Sequence, residues 1–131
     1  MRWALDTNTL IYFFKGEGNV VAELLSRPPS DIGIPTIALF ELEVGISKSS
    51  SPKKRLSQLR ELLNVVYVIP FDDRAARASA GVRAALEIKG TPIGPYDVLI
   101  AGSALAHGVT LVTRNTKEFS RVEGLTLESW F

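Results

Sequence analysis

Short, continuous apolar runs alternate with longer amphipathic segments along this 131-residue sequence. Such runs predict strands buried on both faces, because an exposed sheet face would place a polar residue at every second position. The pattern predicts strands at residues 2–6, 31–34, 65–69 and 109–112, with a short fifth strand at 125–128.

The longer segments carry start and stop signals that are typical of helices. Asn19, Ser51 and Asp72 are expected to cap helices with their side chains, and Gly90 and Gly108 to close two of them. Because helices alternate with buried strands, the fold class is α/β, with a mostly parallel central sheet covered on both faces. The length predicts one domain, residues 1–131. The predicted helices cover residues 7–15, 20–27, 36–46, 52–63, 73–89 and 95–107.

Composition narrows the chemistry that such a domain can perform. The chain has no cysteine and a single histidine, His107, which excludes disulfides, thiolate catalysis and Cys/His zinc sites. Oxygen ligands would therefore hold any metal ion, and Mg²⁺ and Mn²⁺ prefer such ligands. The sequence contains no phosphate-binding glycine motif, no nucleophilic serine motif and no pair of histidines.

The net charge does not identify a binding partner, whereas the distribution of apolar residues predicts where the protein is located. The net charge of +1 predicts no polyanionic partner by itself, although Lys48, Lys53 and other basic residues crowd one segment. Asp6 interrupts the apolar run near the start and no cleavage signal follows, so we expect no secretory leader. No apolar segment is long enough to span a membrane, and we expect a cytoplasmic protein.

Several polar side chains stand where predicted strands end or helices begin. Asp6 directly follows the first strand, and ligands collect at this end of the strands in α/β domains. Asp97 lies in the first turn of its helix, on the face that carries the apolar residues. Either Glu41 or Glu43 projects from an unusually apolar helix, and Asn115 follows the fourth strand. These separate elements are expected to bring acidic groups together.

Each of these residues also has a purely structural explanation. Asp6 is a favoured helix N-cap, and Asp97 suits the positive end of a helix dipole. Asn115 and Thr113 are ordinary turn residues, and Glu118 could supply a further carboxylate. Several carboxylates forced together would, however, repel one another unless a cation neutralises them. Two divalent ions can activate a water molecule and stabilise the leaving oxygen of a phosphodiester, so the acids together predict a metal-dependent nuclease.

Five blocks of the sequence resemble one family. They are LDTNTLIYF, IALFELEVG, GTPIGPYDVLIAGSALAHG, LVTRN followed by KEF, and GLTLESW. In this order and spacing they resemble the PIN domain and, more narrowly, the VapC toxins of bacterial and archaeal toxin–antitoxin pairs. The blocks run from Leu5 to Trp130, so the resemblance covers nearly the whole chain. It implies a three-layer α/β/α PIN-like domain.

The resemblance also implies roles for particular residues. Asp6, Glu41 and Asp97 match the acids that form the Mg²⁺ or Mn²⁺ site of an endoribonuclease, which favours Glu41 over Glu43. Asn115 stands where the family often has an acid, so the fourth ligand is Asn115, Glu118 or water. Thr113, with Asn115, would orient the water shell of the ion or a phosphate, and Asn8 would support the site. Three basic residues would contact the RNA backbone: Arg114, Lys48 and Lys53.

Partners follow from the same resemblance. It implies a homodimer, inhibition by a small VapB-like antitoxin, and structured RNA such as tRNA as the substrate. The stretch GTPIGPYD is similar to toxins that cut initiator tRNA. The apolar helices at residues 7–15 and 19–27 exceed what a small core needs, and we expect them to help form a partner surface, with Phe13 and Leu24 among its residues.

Other classes of protein share some of these features. A phosphatase of the haloacid-dehalogenase type also has an Asp after its first strand, but it needs a second Asp where this chain has Asn8. A receiver-like signalling domain would use Asp72 or Asp73 as phosphoacceptor and would need an acidic pair after the first strand. A catalytically inactive PIN-like module that binds RNA or protein is the third alternative, and the amide at Asn115 favours it.

Overall fold

Five short parallel strands form one sheet in the computed structural model, which describes residues 1–131. The strand order is β3-β2-β1-β4-β5, so β1 is central and the chain proceeds outward on both sides of it. Every neighbouring pair is parallel, which confirms the predicted α/β class with its parallel sheet. The strands are β1 (Trp3–Leu5), β2 (Ile32–Pro35), β3 (Tyr67–Ile69), β4 (Thr110–Val112) and β5 (Leu127–Glu128).

Seven helices and one 3₁₀ turn connect the strands. No helix of the chain is both long enough and apolar enough to cross a membrane. The helices are α1 (Thr7–Lys15), α2 (Val20–Leu25), α3 (Thr36–Ser47), α4 (Pro52–Leu63), α5 (Asp73–Ile88), α6 (Pro95–His107) and α7 (Thr116–Phe119), and the 3₁₀ turn is Pro29–Asp31.

The structure corrects several predicted boundaries and two caps. Helix α2 ends at Leu25, ahead of the two prolines that disfavour helical backbone before them. The predicted start of β3 instead forms the turn that closes α4, where the backbone N–H groups of Val65 and Val66 both donate to Leu62 O. Neither Asn19 nor Ser51 makes the predicted side-chain cap.

Capping does operate at the two aspartates that precede helices. The carboxylate of Asp72 accepts a hydrogen bond from Ala75 N at 2.9 Å, as the sequence predicted. Asp6 caps α1 in the same way, and its backbone N–H donates to Val112 O at 3.1 Å. The end of β1 and the start of α1 are therefore held directly against the end of β4.

Candidate metal centre

Asp6 is a buried carboxylate at the carboxyl end of the central strand. Its side chain is 4% exposed, and Oδ1 accepts a hydrogen bond from Thr9 N at 2.9 Å. Burial raises the pKa of Asp6 above its ordinary value, because the charged form loses hydration, while the hydroxyls of Thr113 and Thr9 act in the opposite direction. Asp6 thus combines a helix cap with a buried carboxylate at a strand end.

Glu41 reaches the same end of the sheet from α3. Its Oε1 accepts a hydrogen bond from the Thr7 hydroxyl at 2.7 Å, which ties α3 to the first turn of α1. Glu43, two residues further on, is exposed to solvent. The structure therefore places Glu41, and not Glu43, with the acids at the strand ends. Thr7 was not singled out from the sequence, and only its position beside Asp6 could have indicated a role.

Asp97 stands in the first turn of α6 and completes a set of interacting acids. Its pKa rises from 3.8 to about 6, first because of burial and then because of the negative charges of Asp6, Glu41 and Glu118. The carboxylate lies close to the backbone of Gly94, where a Cβ atom would come within 3.3 Å of Oδ2. The carboxylates of Asp6, Glu41 and Glu118, from three separate segments, thus act on the carboxylate of Asp97 at this edge of the sheet.

The segment after β4 supplies a hydroxyl, an amide and the fourth acid. Thr113 is fully buried, and its Oγ1 accepts a hydrogen bond from Asn115 N at 3.0 Å. The Asn115 side chain donates from Nδ2 to Glu118 Oε2 at 2.8 Å. Glu118 belongs to α7, the short helix that sequence reasoning missed. The amide at position 115 therefore orients a neighbouring carboxylate that carries the negative charge.

These residues fit a hydrated divalent ion. No group of three or more His, Cys, Asp or Glu side chains is arranged so that it could hold a metal ion by itself. Mg²⁺, however, usually keeps several waters and is bound through one or two carboxylates. The donors of this site are all oxygen atoms, which Mg²⁺ prefers. Burial and the negative charges of neighbouring acids raise the pKa of Asp97, and a bound cation would compensate these charges.

The predicted RNA contacts are all exposed but are differently placed. Arg114 directly follows the buried Thr113, whereas Lys48 is the C-cap after α3 and Lys53 lies in the first turn of α4. Sequence reasoning missed Lys15 and Arg55 as neighbours of the site. Both line a groove of about 330 Å³ whose wall includes Glu41.

Comparison with known proteins gives one consistent family. The PIN domain model matches residues 4–125 of the chain. The tRNA(fMet)-specific endonuclease VapC of Salmonella typhimurium is 37% identical over 130 residues, which are 99% of this chain and 98% of that protein. Ribonuclease VapC2 of Rickettsia felis is 38% identical over 133 residues, again covering 99% of this chain and 98% of the relative.

Solved structures of similar chains agree with this comparison. A chain of the DNA-bound VapBC from Salmonella typhimurium superposes with a TM-score of 0.93 at 37% identity, covering 100% of this chain and 99% of the other. A chain of VapBC2 from Rickettsia felis, bound to a DNA fragment from its promoter, gives a TM-score of 0.89 at 37% identity, with 100% of both chains covered.

Proposed function

This chain belongs to the PIN-domain family and is a VapC-type member of it, and from this premise we propose that it is a divalent-metal-dependent endoribonuclease, the toxin of a toxin–antitoxin pair. The observation that supports this function best is the convergence of acids at one end of the sheet, where Asp6 is buried and the charges of Asp6, Glu41 and Glu118 act on Asp97. The match to the family over residues 4–125 supports treating residues 1–131 as one catalytic domain.

Each acid has a role in this proposal. Asp6 and Asp97 hold the ion, Mg²⁺ or Mn²⁺, and Glu41 completes the site directly or through water. A divalent ion bound there would supply positive charge for the phosphodiester and lower the pKa of a bound water molecule. Thr7 orients Glu41 through the 2.7 Å hydrogen bond. Asn8, at the exposed start of α1, supports the site from outside.

The residues after β4 have a secondary part in the same site. Burial raises the pKa of Asp6, and the Thr113 hydroxyl partly offsets this rise, which favours the ionised form that binds a cation. Asn115 holds the carboxylate of Glu118, which is the stronger candidate for the fourth ligand because it carries a charge. Arg114, Lys48 and Lys53 are proposed as contacts to the RNA backbone.

The proposed substrate is structured RNA, with tRNA preferred. The relative from Salmonella typhimurium is named a tRNA(fMet)-specific endonuclease, and its similarity covers 99% of this chain. This supports initiator tRNA as the first substrate to test. The toxin would act in the cytoplasm, where this RNA is found.

A VapB-type antitoxin and a second copy of the chain are the proposed protein partners. The similar solved structures are VapBC complexes, which supports an antitoxin. Leu24 is part of the core, so the predicted partner surface on α1 and α2 consists instead of Phe13, Phe14 and the exposed Leu25, beside a groove of about 450 Å³. The exposed pair Phe40 and Tyr96, with ring centroids 5.7 Å apart, offers an apolar surface for the homodimer.

Only one of the three alternative protein classes named from the sequence is supported by an observation in the structure. A haloacid-dehalogenase-type phosphatase and a receiver-like domain would each need a second acid after β1, and the family match favours neither class. Asp72, the receiver candidate, is engaged as the cap of α5. A catalytically inactive PIN-like module is supported by Asn115, whose amide replaces an acid and is occupied by Glu118.

Cleavage of total cellular RNA tests the proposal. The wild type, Asp6→Asn and Asp97→Asn are each incubated with RNA in Mg²⁺, in Mn²⁺ and in EDTA, and new ends are mapped by sequencing. Discrete cuts made only by the wild type, and only with metal, are expected. Asp73→Asn is the matched control, because this acid also lies in the first turn of a helix but is exposed.

Two results would count against the nuclease. Near-normal cleavage by either Asp6→Asn or Asp97→Asn would exclude the proposed metal site. A folded, antitoxin-free wild type that makes no cuts in either metal would favour the inactive binding module.

A further inference from the structure

One exposed arginine is stacked on aromatic rings beside the acidic site. The guanidinium carbon of Arg114 lies 3.6 Å from the centroid of the Phe131 ring and 5.7 Å from that of Tyr12. The two rings meet edge to face, with centroids 4.8 Å apart and an interplanar angle of 68°. We refer to Arg114, Tyr12 and Phe131 as the arginine–aromatic cluster.

Arg114 joins the cluster to the candidate metal centre along the chain. Arg114 stands between Thr113, whose hydroxyl partly offsets the burial that raises the pKa of Asp6, and Asn115, which donates to Glu118. Tyr12 lies one helical turn beyond Asn8 on α1, and residues four apart share one face of a helix. The chain therefore connects the cluster to two residues of the candidate site, along the side of α1.

A second arginine, Arg27, is also stacked on aromatic rings but has its charge neutralised within the chain. Arg27 lies over the rings of Trp3 and Trp130, at 4.6 and 4.3 Å from their centroids. Its charge is neutralised within the chain, by Glu23 at 2.8 Å and Glu128 at 3.7 Å. Arg27 is thus a structural element whose charge is balanced within the chain.

Arg114 differs because its charge has no partner in the chain. It forms no salt bridge, and its side chain is exposed to solvent. Stacking on a ring occupies one face of the guanidinium and leaves the N–H groups at its edge free. An arginine held in this way is suited to an anion from outside the chain.

We propose that Arg114 binds a backbone phosphate of the RNA, and that Phe131 and Tyr12 are positioning residues that hold its guanidinium beside the acidic site. The proposal rests on the proposed function, because the acids themselves repel RNA and the rim must supply the attraction. The rings restrict a side chain that otherwise has many rotamers, so less conformational entropy is lost when the phosphate binds.

Metal-free RNA binding tests the role of Arg114. The probe is a short fluorescein-labelled single-stranded RNA, and its anisotropy is measured in EDTA, which prevents metal-dependent cleavage, over a series of salt concentrations. Arg114→Ala should weaken binding about tenfold, as expected for loss of a charge-assisted hydrogen bond. The slope of log Kd against log salt should fall by about 0.7, the value for one phosphate contact on single-stranded nucleic acid.

Matched controls separate this contact from a general loss of charge or of structure. Arg83→Ala removes an exposed arginine of α5 and should leave both the affinity and the slope nearly unchanged. Arg114→Lys keeps the charge without the planar fork, and an intermediate affinity is expected. Thermal unfolding of each variant identifies any that fails to fold.

A double-mutant cycle tests the positioning role of Phe131. Phe131→Leu keeps an apolar side chain against Tyr12 but removes the ring face under Arg114, and should weaken binding about threefold, the size of one exposed cation–π contact. In the Arg114→Ala background the same change should have almost no effect. Tyr67→Leu, at another exposed aromatic residue, is the control and should bind like the wild type.

The outcomes distinguish this inference from the proposed function. Additive losses for Arg114→Ala and Phe131→Leu would mean that a base stacks directly on the ring, and would overturn the positioning role. Cleavage by a wild type whose affinity and salt slope do not depend on Arg114 would overturn the inference alone. RNA binding in which Phe131→Leu has an effect only when Arg114 is present, without cleavage in Mg²⁺ or Mn²⁺, would support the inference while refuting the nuclease. Absence of metal-free RNA binding by the wild type would overturn the inference, while cleavage in Mg²⁺ or Mn²⁺ would decide the nuclease separately.

Discussion

Asp97→Asn should stabilise the metal-free protein while it removes activity. The carboxylate of Asp97 is partly buried and faces the negative charges of Asp6, Glu41 and Glu118, which together with burial raise its pKa from 3.8 to about 6. An acid with a raised pKa in the folded state binds protons more tightly there than in the unfolded chain. Stability therefore falls as the pH rises from about 4 to about 6, and levels off above this range.

The magnitude follows from the two pKa values. The rise from 3.8 to about 6 corresponds to about 3 kcal/mol of destabilisation at pH 8. Because the carboxyl group is only partly buried, solvent screening reduces this to about 1 to 2 kcal/mol. Asparagine keeps the shape without the charge, so the metal-free variant should unfold about 3 to 8 °C above the wild type at pH 8. At pH 4 the difference should nearly vanish.

Thermal unfolding followed by circular dichroism in EDTA measures the effect between pH 4 and pH 8. Asp73→Asn is the control, since this carboxylate is exposed and paired with Arg77 at 3.0 Å. It should not raise the melting temperature at any pH. A lower melting temperature for Asp97→Asn at pH 8 would refute the reasoning, because the acid would then stabilise the fold as part of the first turn of α6.

Two further predictions concern packing away from the site. Gly102→Ala should destabilise the protein by about 1 to 3 kcal/mol in urea unfolding. The added Cβ would clash with the Ser79 hydroxyl and lie 2.7 Å from the backbone Cα and N of Ser79. Gly81→Ala, with open space around it, should be neutral or stabilising, and equal effects at both sites would contradict the packing argument. Arg27→Leu should lower the free energy of unfolding by about 1 to 3 kcal/mol, measured by tryptophan fluorescence, and a neutral result would mean that the stacked guanidinium adds no stability.

Local signals in the sequence predicted the elements that have clear ends. Helix α6 runs from Pro95 to His107 as predicted, because a proline suits the first helical position and Gly108 adopts the left-handed conformation that closes it. Apolar runs without such signals were assigned less well. Val65 and Val66 are β-branched residues that favour strands, but in the structure they lie in the turn after α4. Helix α7 has only four residues, too few to show a helical period.

The candidate site was predictable in part for the same reason. Asp6 could be placed at a strand end from the sequence alone, because an abrupt change from apolar to polar residues marks that end. Periodicity could not choose between Glu41 and Glu43, because α3 is apolar on nearly all sides. The contact from Thr7 to Glu41 joins residues 34 positions apart and depends on how α1 packs on α3. No local pattern contains this information.

The position of β1 explains why the fold carries mutually repelling acids at all. Because β1 lies between β2 and β4, the connections that leave these strands diverge, and a crevice opens at the carboxyl end of β1. Asp6 stands at this crevice, and burial raises its pKa in the absence of a counter-charge. A metal ion present at about 100 times its Kd would stabilise the native state by about 2.7 kcal/mol. This exceeds the destabilisation of about 1 to 2 kcal/mol inferred for Asp97, so a metal ion bound at the proposed site would also restore the stability that this acid removes.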